Sequence, residues 1–246
     1  MTGDHYIIPD WPASAAVRAV VTTRQQGESR SPYDSFNLAS HVGDSAEAVA
    51  ANRSLLHEEL RLPGEPLWLN QVHGRRIVRH GDSVPEPEAD GSYSGDADEV
   101  CAVLTADCLP VLLCNRAGTE VAAVHAGWRG LADGVIGAAV DLFKSPPDQI
   151  IAWLGPAIGP GKFEVGQDVH DAFVGTDPAA ADAFRSTDET HWMADLYWLA
   201  RLQLQHLDIN QVSGGQFCTA SEPDRFYSYR RDGVTGRMAS LIWIEN

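Results

Sequence analysis

The stretch Val100–Cys114 (VCAVLTADCLPVLLC) constrains the fold more than any other, because it is nearly all apolar. Such a run has no polar face to turn toward water, so it predicts a strand buried on both sides, interrupted near Asp107-Cys108. Burying it requires a large core. A chain of 246 residues can build one without dividing, so one domain over residues 1–246 is expected.

The rest of the chain mixes strand and helix signals. Ala16–Thr23 (AVRAVVTT) reads as a β-branched strand ending at Arg24, followed by a turn-rich loop. Asp44 with Glu47 resembles a capping box, and Val49, Arg53, Leu56 and Leu60 then share one helical face until Pro63. Leu67–Val72, Val121–Val124, Ile150–Leu154 and Met238–Ile244 read as strands, with others near Gln216 and over Phe226–Tyr229, whereas Val84–Asp98 reads as an acidic connection. Helices are expected over about Leu131–Phe143 and near Gln167–Val174, Pro178–Phe184 and Asp195–Leu207. Without a strict βαβ rhythm, this pattern predicts an α+β protein with mixed sheets rather than a doubly wound fold.

Charge narrows the partners. With 18 Lys and Arg against 34 Asp and Glu, the net charge is −16, which argues against nucleic-acid and membrane-surface binding. A small anion needs only a few converging arginines and is still allowed. No segment approaches the roughly 18 apolar residues of a membrane span, and Met1–Ala13 lacks the basic-then-apolar pattern of a leader. The expected location is the cytoplasm. There the four cysteines, Cys101, Cys108, Cys114 and Cys218, are not expected to pair, and no CxxC motif is present.

Three strand ends finish on metal-competent side chains: His73 in NQVHG, Cys108 in TADCL and His125 in AVHAGW. Their spacing has no local meaning, so only the fold can unite them. If united, two imidazoles and a thiolate suit Zn²⁺ with one position open, and Cu²⁺ is also accommodated. The plainer reading, a packing cysteine and unrelated histidines, stays open on spacing alone.

The blocks TTRQQGESRSPYDSFNLASHVGD, LNQVHG, VLTADCLPVLL, AAVHAGWRG, WLGPAIGP and YSYRRDGVTGRMASLIWI resemble the signature segments of the YfiH-like family. Its members have been labelled polyphenol oxidase or laccase-domain proteins and are described as purine nucleoside phosphorylases. The resemblance runs from about Val20 to the C-terminus. It implies a single α+β unit of layered mixed sheets between helices, related to toxin-type Cys-His hydrolases, with His73, Cys108 and His125 as metal ligands. Two departures fall outside the metal blocks: QQG stands after Arg24 where GG is usual, and Gly91 follows Asp90 where Ala is common.

The activities implied are phosphorolysis of adenosine, inosine and methylthioadenosine, and adenosine deamination. A zinc ion would supply a water activated near neutral pH, with Asp107 as candidate proton carrier or, equally, a turn cap. The partners would be a purine nucleoside and phosphate. Arg129 and Arg230 are the candidate phosphate or substrate contacts, and Arg24, Arg231 and Arg237 lie in the same blocks. Asn37 and His41 are candidates to line the cleft, unless they bond within their own loop. Trp128 reads either as a purine platform or as a core plug.

Two other chemistries compete. A Cys-His hydrolase or amidase, as in peptidoglycan-precursor editing, would use Cys108 as nucleophile and His125 as base. A copper-binding polyphenol oxidase, the older family label, calls for paired HxH ligands, and the nine histidines contain none. A purely structural metal would need a fourth protein ligand, for which His41 and His80 are the candidates.

Overall fold

A computed structural model describes residues 5–81 and 84–245; residues 1–4, part of the segment read for a leader, lie outside these. The strands are β1 (Tyr6–Ile7), β2 (Val17–Thr22), β3 (Pro66–Leu67), β4 (Val78–Arg79), β5 (Gly91–Ser94), β6 (Val100–Thr105) and β7 (Leu109–Asn115). They continue with β8 (Val121–Ala126), β9 (Ile150–Leu154), β10 (Glu164–Gly166), β11 (Phe184–Ser186), β12 (His191–Ala194), β13 (Gln211–Gly214) and β14 (Met238–Ile244). The α-helices are α1 (Ala46–Leu60), α2 (Trp128–Ala132), α3 (Val135–Val140), α4 (Gln167–Val174), α5 (Leu196–His206) and α6 (Tyr229–Asp232).

Two large mixed sheets stack face to face, one ordered β1-β2-β14-β6-β3 and the other β13-β9-β7-β8-β5-β4. Val17, Val21, Cys101, Val103 and Ile242 of the first meet Leu112, Cys114, Ala123, Ile151 and Trp153 of the second in a shared apolar layer. The outer face of the first sheet packs against α1 through Leu56, Leu60, Val100 and Leu241. The outer face of the second packs against α2 to α5 through Leu131, Ile136, Val169 and Leu199. The result is a helix–sheet–sheet–helix sandwich, an α+β fold of layered mixed sheets.

The apolar run contains two strands, and they belong to different sheets. β6 pairs with β14 in the first, while β7 pairs with β8 and β9 in the second. Asp107, at φ +84°, makes the crossing, which sets Cys108 at the junction of the sheets. Burial on both sides follows because each strand has one face in the shared layer and the other under helices.

Several local expectations shift. The N-cap of α1 is Ser45, not Asp44, and the helix ends at Arg61 in a left-handed conformation before Pro63 is reached. The helix expected over Leu131–Phe143 is two short ones, broken by Gly134 at φ +84°. Pro178–Ala183 forms a 3-10 turn, and the strand expected near Gln216 lies earlier, at β13. Phe226–Tyr229 is no strand: Phe226 and Tyr227 are core residues, and Ser228 caps α6. Strand β5, inside the acidic connection, and the small sheet β10-β12-β11 were not anticipated. No helix among the described residues is long and apolar enough to cross a membrane.

Candidate functional site

The fold unites the three metal-competent side chains. His125 lies within β8 opposite Pro110 of β7, Cys108 immediately precedes β7, and His73 stands at φ +60° in the loop after β3. Their ligand atoms all lie within 4.8 Å of one another. The Cys108 Sγ is 3.8 Å from His73 Nε2, and the two imidazoles meet edge to face with centroids 4.8 Å apart. Burial is graded from a buried His125 through a half-buried Cys108 to an exposed His73. The group therefore has one covered side and one open side.

Asp90, immediately before β5, organises the covered side. Its fully buried carboxylate accepts hydrogen bonds from the backbone N–H groups of His73 (2.9 Å) and Gly74 (2.7 Å). It also accepts from His125 Nδ1 at 2.8 Å. A carboxylate has no proton to give, so Nδ1 donates and His125 Nε2 is left to face the thiol. One carboxylate thus sets both the ring orientation of one ligand and the backbone of another, the role that outer carboxylates play at metal sites. Asp90 was not anticipated as a site residue. A lone acid before a glycine, in a segment that reads as a connection, carries no signal of a buried role.

Electrostatics match this geometry. Burial opposes ionisation of Cys108, yet the charge and hydrogen bond of His125, followed by those of His73, draw the thiol down to about 6. Burial likewise opposes charging of His125, but the Cys108 thiolate and then Asp90 raise it to about 9. Asp90 is held below its ordinary value despite desolvation, by His125 first and the Gly74 and His73 N–H groups next. The opposite shifts mark a thiol and an imidazole that favour each other's charged forms, and a metal ion would take the place of the proton on His125.

The residues fit such an ion. A tetrahedral centre sets sulfur and nitrogen donors roughly 3.5 Å apart, close to the observed Cys108–His73 separation. Gly127 provides the space: a Cβ there would lie 2.8 Å from the His73 ring, 3.3 Å from Cys108 Sγ and 3.6 Å from the His125 ring. Neither candidate fourth ligand joins the group. His80 Nδ1 is 3.5 Å from Glu99, and His41 stands at the rim of the neighbouring cavity. Among the described residues the group has three members, as an open catalytic site has.

The open side faces a cavity of about 410 Å³. Ile158, Phe163 and Tyr229 give it apolar and aromatic surface, and Arg230, Arg237 and His41 give it polar groups. The Arg230 guanidinium lies over the Phe163 ring and donates to the Glu164 carbonyl. Arg129 is not in this lining; it is exposed and stacks 4.3 Å over Trp128, itself packed on the core. Asn37 is fully buried, bonds to Ala39 within its own loop, and accepts from the Arg237 backbone N–H at 2.9 Å. Asp107 borders the cavity, but both its oxygens are engaged, by Thr219 (2.6 Å), Ser228 (3.0 Å) and the Arg230 N–H (2.6 Å). It fastens the β6–β7 crossing to Thr219 and to the first turn of α6.

A family model described as multi-copper polyphenol oxidoreductase laccase matches residues 18–245. The chain is 51% identical to purine nucleoside phosphorylase YfiH of Shigella flexneri, over 97% of this chain and 98% of that protein. It is likewise 51% identical to a purine nucleoside phosphorylase of Pseudomonas aeruginosa, over 98% of this chain and 99% of that one. The crystal structure of a Neisseria meningitidis protein, 49% identical, superposes with a TM-score of 0.96, covering 98% of this chain and all of the other. With sequence, layered fold and the HG, ADC and HAGWRG blocks in agreement, the chain belongs to the YfiH-like family, the one described as multi-copper polyphenol oxidoreductase laccase.

Proposed function

We propose that this protein is a zinc-dependent purine nucleoside phosphorylase acting on adenosine, inosine and methylthioadenosine, with adenosine deamination as a second activity of the same site. The carrying observation is the His73–Cys108–His125 group opening onto a cavity of nucleoside-like size. The names of its relatives from Shigella flexneri and Pseudomonas aeruginosa support the reading.

When bound, zinc supplies Lewis acidity at its open position. The chain's own residues do the rest. Asp90 holds His125 in the tautomer that can ligate, and Cys108 enters as thiolate. Ile158, Phe163 and Tyr229 offer a surface for a flat base. In phosphorolysis a phosphate oxygen bonds to ribose C1′ while the C1′–N9 bond breaks, its electron pair leaving with the base. The cavity has to hold that oxyanion in line and keep competing water out. We assign Asp107 to positioning rather than proton transfer, because its donors already occupy both oxygens.

The donor set also admits copper, but a multicopper centre needs more imidazoles than His73 and His125 provide. A cytoplasmic location fits four unpaired cysteines. A single-domain reading fits a cavity lined from His41 to Arg237. A net charge of −16 favours small-molecule partners over nucleic acid.

The test is incubation of zinc-loaded protein with adenosine, with and without phosphate, resolving adenine, inosine and hypoxanthine. Adenine that appears only with phosphate supports phosphorolysis, and inosine made without phosphate supports deamination. The absence of both overturns the proposal. One observation favours a second reading, a Cys-His hydrolase: the Cys108 thiol lies against the His73 and His125 imidazoles, which draw its pKa down toward the thiolate a nucleophile needs. Amidase turnover that survives chelation, with zinc removed, would favour that reading.

A further inference from the structure

We propose that Arg237, assisted by His41, is the phosphate-binding residue of this cavity, in preference to Arg230 or Arg129. The inference rests on the phosphorolysis reading for the identity of the oxyanion, and on the geometry of the cavity wall for its place.

Several other arginines have a carboxylate or an aromatic ring as partner. Arg18 pairs with Glu245, Arg24 with Asp34, Arg225 with Glu222 and Arg231 with Asp232. Arg53 stacks on Trp68, and Arg129 on Trp128. Among the described residues Arg237 has neither kind of partner. It is half-buried in the cavity wall, and among the described residues no carboxylate lies within ion-pair distance of it. Its Nη1 donates to the Thr235 and Gly236 carbonyls at 2.9 and 3.0 Å, which aims the guanidinium, while among the described residues Nε and Nη2 have no acceptor. A planar fork with uncommitted donors on a cavity wall matches an oxyanion in a bidentate manner. Arg237 lines the same cavity as Cys108 and His73; burial lowers its pKa, and Cys108 and then Asp107 oppose that shift.

The backbone at this point is held rigidly. Asn37 Oδ1 accepts from the Arg237 N–H, and Asn37 is itself tied to Asp44. Gly236 is packed so closely that a Cβ would lie 2.7 Å from the Tyr227 ring and 2.9 Å from Asn37. Met238, the next residue, pairs in register with Thr105, whose hydroxyl on the same cavity lining has no hydrogen-bond partner among the described residues. His41 shares this wall, where burial and then the cations Arg237 and Arg53 hold its pKa below the ordinary value. Arg230, by contrast, is exposed and already committed to Phe163 and the Glu164 carbonyl. A positioned fork of donors on a rigid wall is what an oxyanion site requires.

The experiment titrates inorganic phosphate into zinc-loaded wild-type, Arg237→Lys and Arg237→Gln proteins by calorimetry, and measures KM for phosphate and for nucleoside in each. Zinc content and circular dichroism establish that the variants are folded, with the lysine form as the milder change. Arg237→Gln is expected to weaken phosphate binding and raise its KM by about ten-fold or more, and Arg237→Lys by less, with the nucleoside KM within about two-fold of wild type. Unchanged phosphate affinity in a folded, zinc-loaded Arg237→Gln protein overturns the assignment. If wild-type protein binds phosphate through Arg237 but cleaves no nucleoside, the phosphorolysis reading fails while this assignment stands. If it cleaves nucleosides with a phosphate KM indifferent to Arg237, the assignment fails and the reading stands.

Discussion

At the scale of single residues, the site depends on two that bind no metal. Asp90 connects His125 Nδ1 to the backbone of His73, so Asp90→Asn removes the charge and leaves an amide that can both donate and accept at that position. Zinc affinity, measured by competition with a chromophoric chelator, is expected to fall about 10- to 100-fold, and an unchanged affinity would contradict the role given to Asp90. Gly127 acts by absence of a side chain. The Cβ of Gly127→Ala would lie 2.8 Å from the His73 ring, so the variant is expected to fold but to hold zinc sub-stoichiometrically. Elemental analysis against the unfolding midpoint separates lost metal from lost fold.

At the scale of elements, local chemistry sets where several of them begin and end. Ser45 caps α1 by accepting from the Ala48 N–H, and its hydroxyl donates to Glu47 at 2.7 Å. Asp44, the cap expected from sequence, is occupied instead by Ser29, Asn37 and the Ser45 N–H, because the preceding loop folds back on it. Ser45→Ala is expected to cost about 1 kcal/mol in chemical denaturation, with activity retained. Asp44→Ala should cost more, since it also releases the loop that carries Asn37; equal costs would argue against that tie. The split between α2 and α3 has the same character. The apolar pattern of the segment is helical throughout, and Gly134 at φ +84° ends one helix and starts another.

The whole molecule stores protons in its layers. Cys101 and Cys114, between and within the sheets, have thiols raised to about 12 by burial. The phenols of Tyr197 and Tyr227 are raised above their ordinary value chiefly by burial, and that of Tyr93 is pushed up to about 12 by burial and then Glu120. Each of these acids ionises at lower pH when unfolded, so the folded state binds more protons in alkali. Their stabilisation is complete below the unfolded values, roughly 8.5 for thiols and 10 for phenols, and is lost as pH rises toward the folded ones. The urea midpoint is therefore expected to hold to about pH 8 and to fall progressively above it. A midpoint unchanged up to pH 11 would contradict this account, and Cys114→Ala should flatten the first part of the decline.

What the sequence determined by itself was the material of each layer. The apolar run had to be buried on both sides, the mixed strand and helix signals had to form an α+β stack, and Cys108 had to interrupt a strand. The strand expected over Leu67–Val72 is only Pro66–Leu67, so His73 stands in a loop, and His125 lies inside β8 rather than after it. Family blocks then tied those residues to a metal. Tertiary structure alone decided that the run crosses between two sheets at Asp107, which brings Cys108 to their junction beside residues distant in the chain. It also decided that buried Asp90 orients the ligands, and that Arg237 rather than Arg129 faces the cavity. The physical reason is range. Periodicity, caps and turns act over a few neighbouring residues, whereas the partner of a buried carboxylate or guanidinium is chosen by how whole layers pack.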